Sequence, residues 1–134
     1  IGSLRDTLFH CDVVINTAST TSLDALAMGR RVVNIGFDLE PTKYHRSRRR
    51  YYDFDHYQPI VDSGTVEVAS SFDECVSMMV GCLERAPRDE PRVQTLLAKM
   101  CWKLDGRSAE RMASSVLRVA NTIPVARPPN SARA

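Results

Sequence analysis

One segment near the start of the chain constrains the fold more than any other. The apolar run at residues 13–15 predicts a strand buried on both faces, as in a parallel sheet. A row of hydroxyl residues follows, and then an Ala/Leu/Met segment that ends at Gly29, a position typical of a left-handed helix cap. A second apolar run at residues 32–35 comes directly afterwards. The segment therefore predicts a strand–helix–strand unit and an α/β fold with a parallel sheet.

Four consecutive hydroxyl residues, Ser19, Thr20, Thr21 and Ser22, fall where the predicted helix begins. The carboxyl ends of parallel strands form the edge at which open α/β sheets bind ligands. Free N–H groups and the positive end of the helix dipole favour an anion at that point. Helix capping alone would explain one hydroxyl, because Ser and Thr are preferred N-cap residues. Since four exceed that need, the row predicts a phosphate-binding site, with plain capping as the alternative.

The same segment, STTSLDALAMGRRVV at residues 19–33, carries a family resemblance. It resembles the signature ST-x-x-E-A-x-x-x-G-x-P-V of GT-B glycosyltransferases and of UDP-N-acetylglucosamine 2-epimerase-like proteins, which lies in their C-terminal nucleotide-binding domain. The closer similarity, which includes Phe37 and Asp38, is to transferases related to CDP-glycerol glycerophosphotransferases. The resemblance implies a Rossmann-like parallel sheet, the C-terminal part of a GT-B domain, followed by C-terminal helices.

The resemblance also implies roles for individual residues. Ser19, Thr20 and Thr21 would hold the diphosphate of the donor, and Asp24 would face its ribose. Two positions depart from the family pattern, because Asp24 replaces the usual Glu and Arg31 replaces the usual Pro. The implied activity is that of a glycosyl- or glycerophosphotransferase that builds a surface polysaccharide or polymer. The alternatives are a UDP-N-acetylglucosamine 2-epimerase-like isomerase and a non-catalytic nucleotide-binding module.

The chain has the features of one part of a longer enzyme. It opens on Ile1 without an initiator Met, and beyond the two strong strands only a weaker third is visible at residues 65–69. A parallel sheet covered on both faces normally has more strands. We expect residues 1–122 to be the C-terminal part of the nucleotide-binding domain, with a missing N-terminal GT-B domain as its partner. On that hypothesis this piece alone turns over no substrate.

Residues 37–64 form a long loop rich in basic and aromatic residues, which contains all four tyrosines of the chain. Irregular segments of this length are usually functional. Cations could meet phosphates and aromatic rings could pack on a base or sugar, so Arg46, Arg49 and Tyr57 are candidate phosphate or acceptor contacts. A peripheral contact with an anionic membrane is a second interpretation, and a solvated basic surface is a third. The chain has no RNP, KH or zinc pattern that would indicate nucleic acid.

His56 is the candidate catalytic residue. It opens the segment HYQPIVDSG at residues 56–64, which resembles a segment near the donor site of the same transferases. An imidazole can contact a phosphate oxygen or carry a proton near neutral pH. The alternative is a turn histidine hydrogen-bonded to Asp53 or Asp55. We expect no metal site at these acids and no cofactor, because the nucleotide-activated donor is itself a substrate.

The C-terminal half is predicted to be helical, with a capping box at Ser71 and Glu74 and helix ends at Pro87 and Gly106. Residues 123–134 are expected to be a disordered tail. Three apolar stripes at helical spacing are predicted to be core: Phe72, Cys75, Val76, Met79, Leu83 and Ala86; Val93, Leu96, Leu97, Met100 and Leu104; and Ala109, Met112, Ala113, Val116, Leu117 and Ala120.

Composition narrows the classes of partner. With 18 basic and 16 acidic residues the net charge is only +2, so nucleic acid is not expected as a partner. Four cysteines without a C-x-x-C pair suit a reduced chain. No apolar stretch has the length of a membrane span, and no signal peptide is visible. We therefore expect a cytoplasmic protein that is able to lie peripherally at the inner face of the membrane.

Overall fold

The computed structural model describes residues 3–85 and 91–122 and divides the chain into two compact units, Ile1–Trp102 and Lys103–Ala134. The first unit is an α/β structure with three strands. In chain order its elements are α1 (Leu4–His10), β1 (Val13–Asn16), α2 (Thr21–Ala27), β2 (Arg31–Ile35), two 3-10 helices (Tyr44–Arg46 and Arg48–Asp53), α3 (Gln58–Asp62), β3 (Glu67–Ala69), α4 (Phe72–Glu84) and α5 (Pro91–Cys101). The described part of the second unit contains α6 (Ser108–Thr122).

The three strands form one parallel sheet in the order β1-β2-β3. Val14 pairs with Val32, and Asn34 pairs with Val68, so all three strands end at the same edge. The predicted strand–helix–strand unit and parallel sheet are confirmed, and β3 begins two residues later than predicted. Gly29, with φ of +72°, ends α2 in the predicted left-handed conformation.

Helices cover both faces of the sheet. Val32 and Val33 are adjacent in β2 and therefore point to opposite faces. Val32 belongs to the core formed with α2, α3 and α5, whereas Val33 packs with Cys75 and Cys82 of α4. Both valines are fully buried, so β2 is a strand buried on both faces.

Burial on both faces, which the sequence predicts for β1, is wrong for that strand. This strand lies at the edge of the sheet, and Ile15 is 49% exposed. Val13, on the same face two residues earlier, packs against the core on the α4 side, but that cover does not extend to Ile15. An apolar run in the sequence shows that a strand can be buried, but the extent of the covering helix decides which of its residues are.

The beginning of α4 differs from the predicted capping box. The Ser71 hydroxyl accepts from the N–H of Glu74 at 3.2 Å, as predicted. The Glu74 carboxylate, however, accepts from the N–H of Ser70 at 2.6 Å and from the Ser70 hydroxyl, not from Ser71. These two donors hold the pKa of Glu74 below its usual value. The cap is therefore shared between two serines.

The predicted core stripe of α4 is also wrong in part. Cys75 and Cys82 are buried, while Phe72, Val76 and Leu83 are exposed. The helix therefore faces the sheet along a line through Cys75, Met79 and Cys82, which is rotated from the predicted one. Both buried cysteines are free thiols. Ala86 and Pro87, predicted to end this helix, lie outside the described residues.

The stripe of α5 is confirmed at Val93, Leu96 and Leu97, which are buried, and Met100 packs partly buried beside them. The other predicted members do not belong to a core. Leu104 lies beyond the end of α5 and is exposed. All six predicted apolar residues of α6 are exposed, since the described residues of the second unit include no further helix or strand to pack on them.

Residues 37–64 contain more structure than an irregular loop, because the two 3-10 helices and α3 fall within them. Their tyrosines separate into two kinds: Tyr52 and Tyr57 are buried, and Tyr44 and Tyr51 are exposed. No helix in the described ranges is both long and apolar enough to cross a membrane. The predicted tail at residues 123–134 lies outside those ranges.

Candidate functional site

A buried polar network lies where β1 and β2 end. Asn16 Nδ2 donates to Ser22 Oγ at 3.1 Å, and Asn34 Nδ2 donates to Tyr57 Oη at 3.0 Å. The two hydroxyls of Ser22 and Tyr57 hydrogen-bond to each other at 2.9 Å. Ser22 and Asn34 are 0% exposed and Tyr57 is 2% exposed. Because buried polar groups are costly unless they are hydrogen-bonded, this network fixes the start of α2 against the strand ends and the segment before α3.

The network corrects two of the predicted site residues. The sequence predicts that Ser22 binds the donor diphosphate and that Tyr57 contacts a phosphate or acceptor. Both side chains are enclosed, and both hydroxyls bond to protein groups. They therefore stabilise the sheet edge from inside, and the structure gives neither side chain access to a ligand.

Tyr52 makes a second connection at the same edge. Its hydroxyl accepts from the N–H of Ala18 at 3.2 Å and donates to the carbonyl of Ile35 at 2.8 Å. Burial raises the pKa of this phenol well above its ordinary value. Tyr52 thus joins the turn after β1 to the end of β2. Sequence reasoning missed this role, because nothing in the sequence distinguishes Tyr52 from the exposed tyrosines near it.

The other three hydroxyl residues form the turn above the network. Ser19 Oγ accepts from the N–H of Thr21 at 3.2 Å and its hydroxyl donates to Thr21 Oγ1 at 3.2 Å. The N–H of Ser22 donates to the Ser19 carbonyl at 3.0 Å. These are the bonds of a helix cap, and Ser19 provides them. Thr20 is exposed, and its side chain makes no capping hydrogen bond.

Asp24 is exposed in the first turn of α2. Burial raises the pKa of the Cys101 thiol, and the negative charge of Asp24 raises it further. Asp24 is thus close to the end of α5 and open to solvent. This position leaves the carboxylate able to accept hydrogen bonds from a ligand.

Hydrogen bonds hold the basic segment after β2 in place. Asp38 Oδ1 accepts from the backbone N–H of Arg48 at 3.2 Å and from its guanidinium at 3.0 Å. A hydrogen bond from the Ser47 side chain, followed by these contacts with Arg48, keeps the pKa of Asp38 below its usual value. Tyr44 donates to Asp53 at 2.7 Å. Asp38 therefore fixes the path of the chain into the second 3-10 helix.

The remaining predicted residues are on the surface of this segment. Arg46 and Arg49 are exposed, and neither makes an ion pair with another described residue. Arg46 lines a surface hollow of about 440 Å³ with Lys43 and His45. His56 is exposed, and its ring lies 5.7 Å from that of Phe54. No hydrogen bond joins His56 to Asp53 or Asp55 in the described structure, so the alternative of a bonded turn histidine is not observed.

The described residues include no group of three or more His, Cys, Asp or Glu side chains arranged to hold a metal ion. Comparison of the chain with models of protein families, with characterised proteins and with solved structures found no match. The case for a function therefore rests on the residues of the sheet edge and their geometry.

Proposed function

We propose that this chain is the nucleotide-binding part of a GT-B-like transferase with a Rossmann-like sheet. In this proposal it holds the diphosphate of a nucleotide-activated sugar or polyol donor that is used to build a surface polymer. The support is the parallel β1–α2–β2 unit, whose turn lies at the edge where open α/β sheets bind ligands. The sequence resemblance at residues 19–33 supplies the class of ligand.

The main support for the proposal is the exposed Thr20 side chain, which makes no capping hydrogen bond. Thr20 is the N-cap residue of α2, but the Ser19 hydroxyl accepts from the N–H of Thr21 instead. The Thr20 hydroxyl is exposed at the sheet edge and is able to donate to a phosphate oxygen. The buried network under the turn keeps the backbone in place, and a preorganised site binds with a smaller loss of entropy.

Other residues have supporting roles in the proposal. Asp24 accepts hydrogen bonds from the ribose hydroxyls. The Ser19 and Thr21 hydroxyls give up the hydrogen bond between them and bond to a phosphate oxygen instead. Arg46 and Arg49 are the cations available to the phosphates or the acceptor. A partner domain supplies the acceptor side and the catalytic base, with His56 as the candidate within this chain. The proposed location is the cytoplasm, where the basic segment is able to contact the inner face of a membrane.

The test is calorimetric titration of the chain with UDP, CDP and GDP, using two adjacent variants that separate binding from capping. Thr20→Ala removes one hydrogen bond to a charged oxygen, worth roughly 1.5–3 kcal/mol. We expect about a ten- to hundredfold loss of affinity for the cognate nucleotide and an unchanged free energy of unfolding. Ser19→Ala removes a proposed phosphate contact together with the capping bond, so it should weaken nucleotide binding and also lower the free energy of unfolding by about 1 kcal/mol.

Asp24→Asn adds a second comparison. The variant should bind a nucleoside diphosphate more weakly but bind inorganic pyrophosphate with unchanged affinity, because pyrophosphate has no ribose hydroxyls. The proposal fails if none of the three nucleotides binds, or if Thr20→Ala binds the cognate nucleotide as tightly as the unaltered chain does. In that case the hydroxyl row is a helix cap alone.

A further inference from the structure

A separate cleft opens between α5 and the segment that contains α3. It has a volume of about 580 Å³, within the range of small-molecule sites. Its apolar walls include Pro59 and Leu96, and Thr95 adds a hydroxyl. None of its lining residues belongs to the turn or the network described above, so the proposed function does not use this cleft.

Four charged side chains line the cleft, two of each sign. Asp55 and Asp62 come from the α3 side, and Arg92 and Lys99 come from α5. Within the described part of the chain, none of the four makes an ion pair or a side-chain hydrogen bond. The positive and negative side chains therefore line the same cleft without forming ion pairs with each other.

The charges are spread along the cleft. Arg92 and Lys99 are seven residues apart on one side of α5, which separates their backbones by about 10 Å. Arg92 Nη1 lies 3.7 Å from the position that a Cβ on Gly64 would occupy, and Gly64 follows Asp62 closely in the chain. Arg92 and Asp62 therefore mark one end of the cleft, and Lys99 lies two helical turns from that end.

We propose that this cleft binds a short peptide with free termini. An anion or a cation would be repelled by two of the four charged side chains as well as attracted by the other two. A zwitterion has one charge for the carboxylates and one for the cations. The terminal ammonium would meet Asp62 at one end, and the terminal carboxylate would meet Lys99, about 10 Å further along α5. An extended chain spans at most about 3.3–3.6 Å per residue, so a tripeptide matches a separation of about 10 Å between its two charges. A central apolar side chain would lie against Pro59 and Leu96.

The experiment is calorimetric titration of the chain with the tripeptide Ala-Leu-Ala, repeated with the same peptide acetylated and amidated at its ends. We expect the free peptide to bind and the blocked peptide to lose most of its affinity. Lys99→Gln and Asp62→Asn should each weaken binding about fivefold, the effect of losing one partly exposed ion pair. Arg5→Gln, a change at an exposed cation outside the cleft, should have no effect.

An NMR titration supplies a readout of position, since the amide signals of Thr95 and Leu96 should shift on adding the free peptide. The proposal is overturned if the free peptide produces neither heat nor these shifts, or if the blocked peptide binds equally well. It is also overturned if free leucine binds as tightly as the tripeptide, because the separation of the charges would then play no part. Nucleotide binding at Thr20 is a separate measurement, so either proposal can fail alone.

Discussion

Replacing Tyr57 by Phe tests the buried network at the sheet edge by removing a single oxygen atom. The ring itself stays, including its edge-to-face contact with Tyr52 at 5.7 Å between centroids. The lost oxygen accepts from Asn34 Nδ2 at 3.0 Å and bonds to Ser22 Oγ at 2.9 Å. We therefore expect the variant to fold but to be less stable.

The magnitude follows from what the two partners retain. Ser22 Oγ keeps a donor in Asn16 Nδ2 at 3.1 Å, and the Asn34 Oδ1 atom lies 3.4 Å away. Asn34 Nδ2 loses this acceptor in a side chain that is 0% exposed, so no water replaces it. A buried group left unsatisfied costs about 1–3 kcal/mol, and we expect a loss of about 2 kcal/mol. For a chain of this size that corresponds to a decrease in Tm of about 6–10 °C.

Urea denaturation followed by circular dichroism measures this loss, with an unchanged m-value as the sign that the native state is intact. Tyr51→Phe is the matched control, because it removes the same atom from a side chain that is 38% exposed. It should change the free energy of unfolding by less than about 0.5 kcal/mol. If Tyr57→Phe lies within about 0.5 kcal/mol of this control, the network does not hold the sheet edge and the argument from burial is wrong.

Two further predictions concern other parts of the chain. In Gly36→Ala the new Cβ would lie 2.7 Å from Val68 Cγ1 and 2.9 Å from the Ala69 carbonyl oxygen. The strand ends must then separate, at a cost of about 1–3 kcal/mol in the same urea assay, and an unchanged stability would contradict this packing. In the second unit, hydrogen bonds from the Arg111 side chain and the Arg107 backbone lower the pKa of Asp105 to about 2. Because the pKa of Asp105 is lower in the folded chain, its ionised carboxylate stabilises the start of α6 above pH 4. This stabilisation is lost as the pH falls through about 2. An NMR titration in which the Asp105 carboxyl carbon titrates near 4 would refute it.

Local sequence was sufficient for the elements whose signals are local. The apolar run, the hydroxyl row and Gly29 predicted β1, α2 and β2 in order, because strand burial, helix capping and a left-handed cap each depend on a few adjacent residues. The stripe of α5 was correct at Val93, Leu96 and Leu97 for the same reason, since the 3.6-residue spacing there has only one apolar side. The location of the hydroxyl turn at the carboxyl end of a parallel strand was therefore predictable.

What each hydroxyl does at that turn was not predictable, because it depends on partners that are distant in the chain. Ser22 is buried by Tyr57, thirty-five residues later, and Ala18 is held by Tyr52, thirty-four residues later. Four adjacent hydroxyls look equivalent in the sequence. The tertiary contacts make Ser22 part of the core, and the local turn gives Ser19 the cap and leaves Thr20 exposed.

The sequence by itself thus determined the β1–α2–β2 unit, its parallel sheet and the helical C-terminal half, but not the two 3-10 helices or α3. The tertiary structure decided which sides of those elements are covered. Ile15 is apolar but exposed, because the cover from α4 does not extend to it, and α4 buries Cys82 rather than Leu83 because of how the helix is rotated against the sheet. The physical reason is the same in each case: hydrophobicity sets the free energy available from burial, but only the packed neighbour decides whether a given side chain gains it.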